Sequence, residues 1–365
     1  WMHRILCLQT QYPGARLNES STGRSRSTAM TTDLQLLKER INAADERIRE
    51  QVRQTYLEHS PVLSDLCAGR VYCKLENLQH TGSFKLRGAF NKVLSLTQAE
   101  RNKGIVTSSS GNHGAGVAYV LNALKQSGTV YVPENVVPEK ARNIERLGGH
   151  LTYFGTDVVE TDAEACRFAE QHGMTFISPY NDLDVVAGQG TIGVELLHQM
   201  KALDAVFVAV GGGGLISGIG ACLKTSLPDV EVVGCSPKNS AVMMASVEAG
   251  RVLELPSLPT LSDGTAGGVE PGAVTFELCS TVVDRWVSVT ESEISDAIRL
   301  FLAEHRMAVE GAAGVALAAF QQTAADYTGK RVAIIICGGN IGRDKLQSVL
   351  SEDLTPGPAK PAPGR

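Results

Sequence analysis

At 365 residues the chain has room for one large or two ordinary domains, and its 43% apolar and 20% charged content is that of a globular protein. A formal net charge of −5 with no basic stripe argues against a nucleic-acid binder, and no apolar run approaches the ~20 residues a bilayer-crossing helix needs. The eight cysteines, Cys7, Cys67, Cys73, Cys166, Cys222, Cys235, Cys279 and Cys337, form no Cys-x-x-Cys pair, and without a secretory signal reduced thiols and a cytoplasmic location are the expectation.

Residues 1–29 read as foreign to the fold: the chain opens on Trp1, the apolar patch at 5–8 is too short for a signal-peptide core, and 16–27 is Arg/Ser-rich. Met30 offers a native start, and residues 1–31 are expected to be disordered or non-native. Thr32 or Asp33 is placed to cap a helix over 34–58, with Leu37, Ile41, Ala44 and Ile48 at helical spacing. A short strand at 71–76 leads to Thr81-Gly82-Ser83-Phe84-Lys85-Leu86-Arg87-Gly88-Ala89, where one lysine stands between a flexible turn and a helix carrying Leu86, Ala89, Phe90 and Val93 on one face.

From Gly104 strand-like runs at 105–106, 129–132, 151–154, 175–177, 205–210, 230–235, 286–289 and 332–337 alternate with helix-like runs. One of these, 138–147, has proline in its first turn and Gly148-Gly149 beyond its end. Such alternation predicts parallel sheets with helices on both faces. Residues 98–185 read as a small inserted domain, 32–97 with 186–352 as the large one, and the Pro/Gly-rich tail 353–365 as disordered.

A lone lysine at a helix start is ordinarily solvated. One shielded from water loses preference for its charged form, and its neutral amine can attack an aldehyde. Three other segments have the pattern of anion sites: Ser108-Ser109-Ser110-Gly111-Asn112-His113-Gly114, Gly211-Gly212-Gly213-Gly214, and Cys337-Gly338-Gly339-Asn340. Each lies between a strand-like and a helix-like run, where helix N-termini offer unpaired N–H groups. Four successive glycines let the backbone approach a phosphate with no Cβ in the way, or simply make a tight turn. A G-x-G-x-x-G fingerprint fails because Ile216 and Ser217 stand where a third glycine is needed, and no Gly-Lys-Ser/Thr follows. A phosphate site with neither fingerprint suits a monophosphate ligand.

In their order and spacing, Ser83-Phe84-Lys85-Leu86-Arg87-Gly88-Ala89, Ser109-Ser110-Gly111-Asn112-His113-Gly114 and the Gly211–Gly214 run resemble the pyridoxal-phosphate enzymes of the serine/threonine dehydratase and serine racemase family. The resemblance covers roughly residues 37–350. It implies an α/β, tryptophan-synthase-β-like (fold type II) architecture: two open parallel-sheet domains with pyridoxal 5′-phosphate in the cleft between them. It makes Lys85 the covalent holder of the cofactor and the base for the substrate α-proton. Phe84 would pack beside the ring, or be an ordinary core aromatic. Gly211, Gly212, Gly213, Gly214 and Leu215 would take the phosphate. Ser109, Ser110, Gly111, Asn112 and His113 would take the substrate carboxylate, and Asn112 would also bond the ring's phenolic oxygen.

Ser110 matches the second acid/base of serine racemases, although many plain dehydratases carry alanine there; by residue type it is an equally good helix N-cap. Cys337 matches the neutral group facing the ring nitrogen, which would weaken the electron sink and favour prompt loss of a β-leaving group, or it is a buried thiol. Gly264 and Glu310 match positions bordering the ring. Residues 262–268 are richer in small residues than the family leads one to expect, and resemble the hydroxyectoine-utilisation dehydratase branch.

The implied activity is α,β-elimination from a β-hydroxy amino acid such as L-threonine or L-serine, giving a 2-oxo acid and ammonia. Racemisation through Lys85 and Ser110 is the alternative; β-replacement and a non-catalytic paralogue are further ones, the intact Lys85 arguing against the last. A homodimer is the family expectation. The chain stops after the catalytic region, so the isoleucine-type control of biosynthetic threonine dehydratases is not expected. Metal-dependent serine racemases carry a glutamate where this sequence has Ser236, followed by Pro237 and Lys238. A lost carboxylate weakens a hard-cation site, and no tightly bound Mg²⁺ or Ca²⁺ is expected there.

Overall fold

The computed structural model describes residues 23–351, with side chains from Asp33 onward. The chain forms α1 (Gly23–Ile48), β1 (Leu57–His59), α2 (Pro61–Cys67), β2 (Arg70–Lys74), α3 (Lys85–Ser95), α4 (Gln98–Lys103), β3 (Ile105–Ser108), α5 (Asn112–Ala123) and β4 (Gly128–Val132). There follow α6 (Pro138–Arg146), β5 (Leu151–Tyr153), α7 (Val158–His172), β6 (Thr175–Phe176), α8 (Leu183–Gln199), β7 (Ala205–Ala209), α9 (Gly214–Lys224) and β8 (Glu231–Pro237). The last elements are α10 (Val242–Glu248), α11 (Val274–Val282), β9 (Arg285–Val289), α12 (Glu291–His305), α13 (Gly311–Thr323), β10 (Arg331–Ile335) and α14 (Arg343–Ser351).

The strands make a six-stranded sheet, β1-β2-β10-β7-β8-β9, and a four-stranded sheet, β5-β4-β3-β6. Every pairing is parallel except that of β1 with β2 at one edge of the larger sheet. All five residues of β7 are buried, the signature of a parallel strand covered on both faces by helices. Beneath it the Phe207 ring meets Phe320 edge-on with centroids 5.5 Å apart and Tyr327 at 5.2 Å.

Helix starts follow local chemistry. The Asp182 carboxylate accepts from the N–H groups of Asp184 and Val185 to open α8, and Thr290 with Glu293 closes a reciprocal capping box on α12. Helix α8 is the common support of two others. A β-carbon on its Gly188 would stand 2.6 Å from Gly88 Cα on α3, and one on Gly218 of α9 would stand 2.9 Å from Gly190 Cα. Helix α3 also turns Leu86, Ala89, Phe90 and Val93 into a core cluster shared with Ile105 of the small sheet and Val117, Val120 and Leu121 of α5.

Two expectations change at the amino-terminal end. The helix predicted over 34–58 stops at Ile48, because the chain beyond it turns to run antiparallel along β2, with Leu57 opposite Lys74 and His59 opposite Tyr72. At its other end α1 begins at Gly23, so Thr32 and Asp33 lie within the helix and not at its start. The backbone over 23–31 is helical. The expectations for residues 1–22 and for the tail 353–365 lie outside the described residues.

Candidate active site

Lys85 is brought to the carboxyl end of β10 by backbone pairing. The Phe84 N–H donates to Cys337 O at 3.1 Å, the Gly339 N–H donates to Gly82 O at 2.9 Å, and Ser83 bridges Gly338. Gly82 has φ +74°, and a β-carbon there would sit 2.6 Å from Asn340 Oδ1, so both conformation and space call for glycine. The half-buried Lys85 donates from Nζ to Pro179 O at 2.7 Å, and Nζ lies 5.3 Å from the centroid of the half-buried Phe84 ring. Burial pulls its ammonium down to about 8, although the nearby Cys337 and Glu310 oppose the shift. Burial also drives the Cys337 thiol well above its ordinary range, with Glu310 adding to it.

Strand β7 runs directly into the four glycines. Gly213 is left-handed at φ +85°, and a β-carbon on it would meet Cys279 Sγ at 2.6 Å; one on Gly212 would strike the Tyr180 ring. The first helical bond of α9 is Ser217 N–H to Gly213 O at 3.0 Å. The N–H groups of Gly214, Leu215 and Ile216 therefore have no partner within the helix. The Leu215 side chain itself is buried.

The loop before α5 departs in detail from its sequence reading. The N-cap is Gly111, and no side chain caps the helix, so Ser110 is not the cap its residue type allows. The Ser109 N–H is engaged by Tyr131 O at 3.2 Å, while its hydroxyl accepts from the Gly111 N–H at 3.2 Å. The His113 ring turns into the protein: Nε2 donates to Ile177 O at 3.1 Å, and Nδ1 is buried with no partner. Burial, helped by Lys85, lowers the ring to about 3, so the imidazole is neutral and its Nδ1 is an acceptor. Asn112 donates from Nδ2 to both oxygens of Glu310, each at 2.9 Å. Burial raises the Glu310 carboxyl despite the bonds from Asn112 and Asn340. A β-carbon on Gly264 would lie 3.5 Å from Glu310 Oε1. The structure thus gathers Lys85, Asn112, Gly264, Glu310 and Cys337 at one place.

Sequence reasoning passed over what stands behind the lysine. Arg87, Glu76, Glu195 and Lys74 form a buried ionic cluster. The Arg87 guanidinium donates from Nε and Nη2 to the two Glu76 oxygens, both at 2.8 Å, and from Nη1 to Glu195 Oε1 at 2.6 Å. Lys74 Nζ pairs with Glu195 and donates to Thr55 O and Gln199 Oε1, each at 2.8 Å. The signal available was charge inside apolar context: Lys74 and Glu76 stand in or beside a strand, and Arg87 lies on a helix among Leu86, Ala89, Phe90 and Val93.

The family model described as "Pyridoxal-phosphate dependent enzyme" matches residues 48–338. The chain belongs to this family. Among its relatives is an L-threonine ammonia-lyase of Thermotoga maritima, 40% identical over 316 residues that span 87% of this chain and 78% of the relative. The processed form of threonine deaminase isoform 2 from Solanum lycopersicum superposes with a TM-score of 0.84 at 32% identity, covering 88% of this chain and 94% of that one. Serine racemase from Dictyostelium discoideum does so with a TM-score of 0.78 at 34% identity, covering 84% and 98%. The architecture is the tryptophan-synthase-β-like one of the fold-type-II enzymes of the threonine dehydratase and serine racemase family.

The residues present fit the family's cofactor. An amine of lowered pKa stands at a strand end, a glycine turn leaves helix N–H groups without helical partners, and the hydroxyls of Thr81 and Ser83 beside Lys85 are buried without protein partners. Ser236 is buried with an unpartnered hydroxyl. Among the described residues, no group of three or more His, Cys, Asp or Glu could hold a metal, and no helix is long and apolar enough to cross a membrane.

Proposed function

We propose that this pyridoxal-phosphate enzyme is an ammonia-lyase for a β-hydroxy amino acid, L-threonine or L-serine, releasing a 2-oxo acid and ammonia. The observation that carries the reading is the Lys85 amine set against Glu310 and Cys337, in a chain 40% identical to an L-threonine ammonia-lyase. Lys85 Nζ holds the cofactor and takes the substrate α-proton. The N–H groups at Gly211, Gly212, Gly213, Gly214 and Leu215 hold its phosphate, Phe84 and Gly264 border its ring, and Asn112 and Cys337 address its two polar edges. Ser110, Gly111 and the opening N–H groups of α5 orient the substrate carboxylate. When bound, pyridoxal phosphate supplies the sink for the electron pair left at the substrate α-carbon. Burial of the thiol keeps Cys337 neutral, so it places no negative charge opposite the ring.

The test is product analysis of the holoenzyme with L- and D-threonine and L- and D-serine, assaying 2-oxo acid and amino acid chirality together. Oxo acid from one enantiomer supports the lyase; no oxo acid from any of the four would overturn it. Racemisation is the second reading, favoured by a Ser110 that is free of capping duty and by the likeness to a serine racemase. In that case Ser110→Ala abolishes enantiomer interconversion and leaves oxo-acid formation within a few-fold of wild type.

The lowered pKa of Lys85 gives a second expectation. The neutral amine is the nucleophile that captures the cofactor, and it predominates above the pKa. Capture by cofactor-free protein is therefore expected to slow about tenfold per pH unit below about 8 and to level off above it. Stopped-flow absorbance would show this, and a profile still rising steeply above pH 9 would contradict the lowered value. The sequence division at 98–185, a homodimer, a cytoplasmic location and the hydroxyectoine-utilisation branch suggested by residues 262–268 belong to the same proposal. Size-exclusion chromatography with light scattering tests the dimer, and a wider panel of β-hydroxy substrates tests the branch.

A further inference from the structure

We infer that Asn340 is a positioning residue that sets which way the Asn112 amide faces; the inference rests on the reading of Asn112 as a ring-facing group. The reasoning is one of hydrogen-bond polarity. The Thr81 carbonyl oxygen can only accept, and Asn340 Nδ2 lies 2.9 Å from it. The Asn340 amide must therefore turn its NH₂ group that way. The second hydrogen of the same nitrogen reaches Asn112 Oδ1 at 2.7 Å. With its oxygen fixed there, Asn112 must present Nδ2 to the Glu310 carboxyl, where it stands 2.9 Å from each oxygen. The Asn340 backbone N–H closes the ring by donating to Glu310 Oε2 at 3.2 Å. Donation thus runs outward from Asn340, on one side to the turn before Lys85 and on the other through the first residue of α5 to the residue before α13.

The positive φ of Gly82 and its lack of a Cβ let the Asn340 side chain reach this position, since a β-carbon there would fall 2.6 Å from Oδ1. Asn340 is itself exposed, so its side chain is not needed to fill the core. A reversed Asn112 would set its oxygen against the Glu310 carboxyl and turn its only donor away from it.

The polarity argument makes Asn340→Asp more harmful than Asn340→Ala. Aspartate has no donor for Thr81 O, and it would draw the Asn112 NH₂ toward itself. Alanine removes the brace without imposing the reversed amide. On the holoenzyme, kcat is expected to fall about a hundredfold for Asn340→Asp and about tenfold for Asn340→Ala. The visible absorption band of the bound cofactor should shift in the first, and the urea midpoint should be unchanged in both. In an Asn112→Ala background the Asn340→Asp change should add no further loss and no further band shift, because the group it acts through is gone. Equal losses in the two variants, a full additional loss in the Asn112→Ala background, or a urea midpoint falling with activity would each overturn the inference. A wild-type protein with no cofactor band would instead remove the enzymatic reading, and this inference with it.

Discussion

Alanine in place of Lys85 is expected to leave a folded protein whose turnover is at most about one-thousandth of wild type, within the ~10²–10⁴-fold range of a positioned proton-transfer group. The side chain makes a single hydrogen bond, to Pro179 O. It is half-buried at the first residue of α3, where alanine is a better helix former. Stability should therefore change by about 1 kcal/mol or less. Function has no such reserve. Cys337 is held as a neutral thiol by burial, and the His113 nitrogen facing Ile177 O is a donor in a ring too weakly basic to replace an amine. The measurement is single-turnover oxo-acid formation with circular dichroism as the fold control. Wild-type rates from Lys85→Ala would end the mechanism.

The largest stability effect is expected two residues away. Arg87→Met should destabilise the protein by about 3–5 kcal/mol, because removing one partner of a buried ionic group leaves the other uncompensated. Arg87 is wholly buried and faces two carboxylates; without it only Lys74 remains among them. Burial already pulls Lys74 below its usual range, with Glu195 opposing. Lysine in place of Arg87 should recover only part of the loss, since one ammonium cannot make the paired bonds that Nε and Nη2 make to Glu76. Urea unfolding of the three proteins gives the comparison, and a Met variant within 1 kcal/mol of wild type would show that the cluster relaxes around the loss.

The parts of this protein that repeat a simple physical rule were legible in its sequence. Apolar runs ending in glycine gave β7 and the turn at Gly211, and proline with paired glycines bracketed α6, whose helical span closes at Arg146. The misplaced end of α1 was not legible because Leu57, Glu58 and His59 are extended only through their pairing with β2, which no local preference encodes. The site divides the same way. Lys85, the glycines and Asn112 stand in motifs with a recognisable order, whereas the inward turn of His113, the bond from Ser109 to Tyr131 and the brace through Asn340 are made across the fold. The Arg87 cluster joins segments as distant in the chain as Thr55 and Gln199, and only a folded chain brings them together.

The glycine crossings of α8 carry a consequence for what the cleft can accept. The helix that begins at Lys85 rests on Gly188, and the helix that begins after the glycine turn rests on Gly190. Both crossings bring backbone close to backbone, with the Gln189 side chain packed beside Gly88 and bonded to its N–H. The separation of Lys85 from the glycine turn is therefore set through one shared helix. On the proposed reading of Lys85 and the glycine turn, a cofactor held at both ends would have to fit the separation this helix sets, so length would be selected before chemistry.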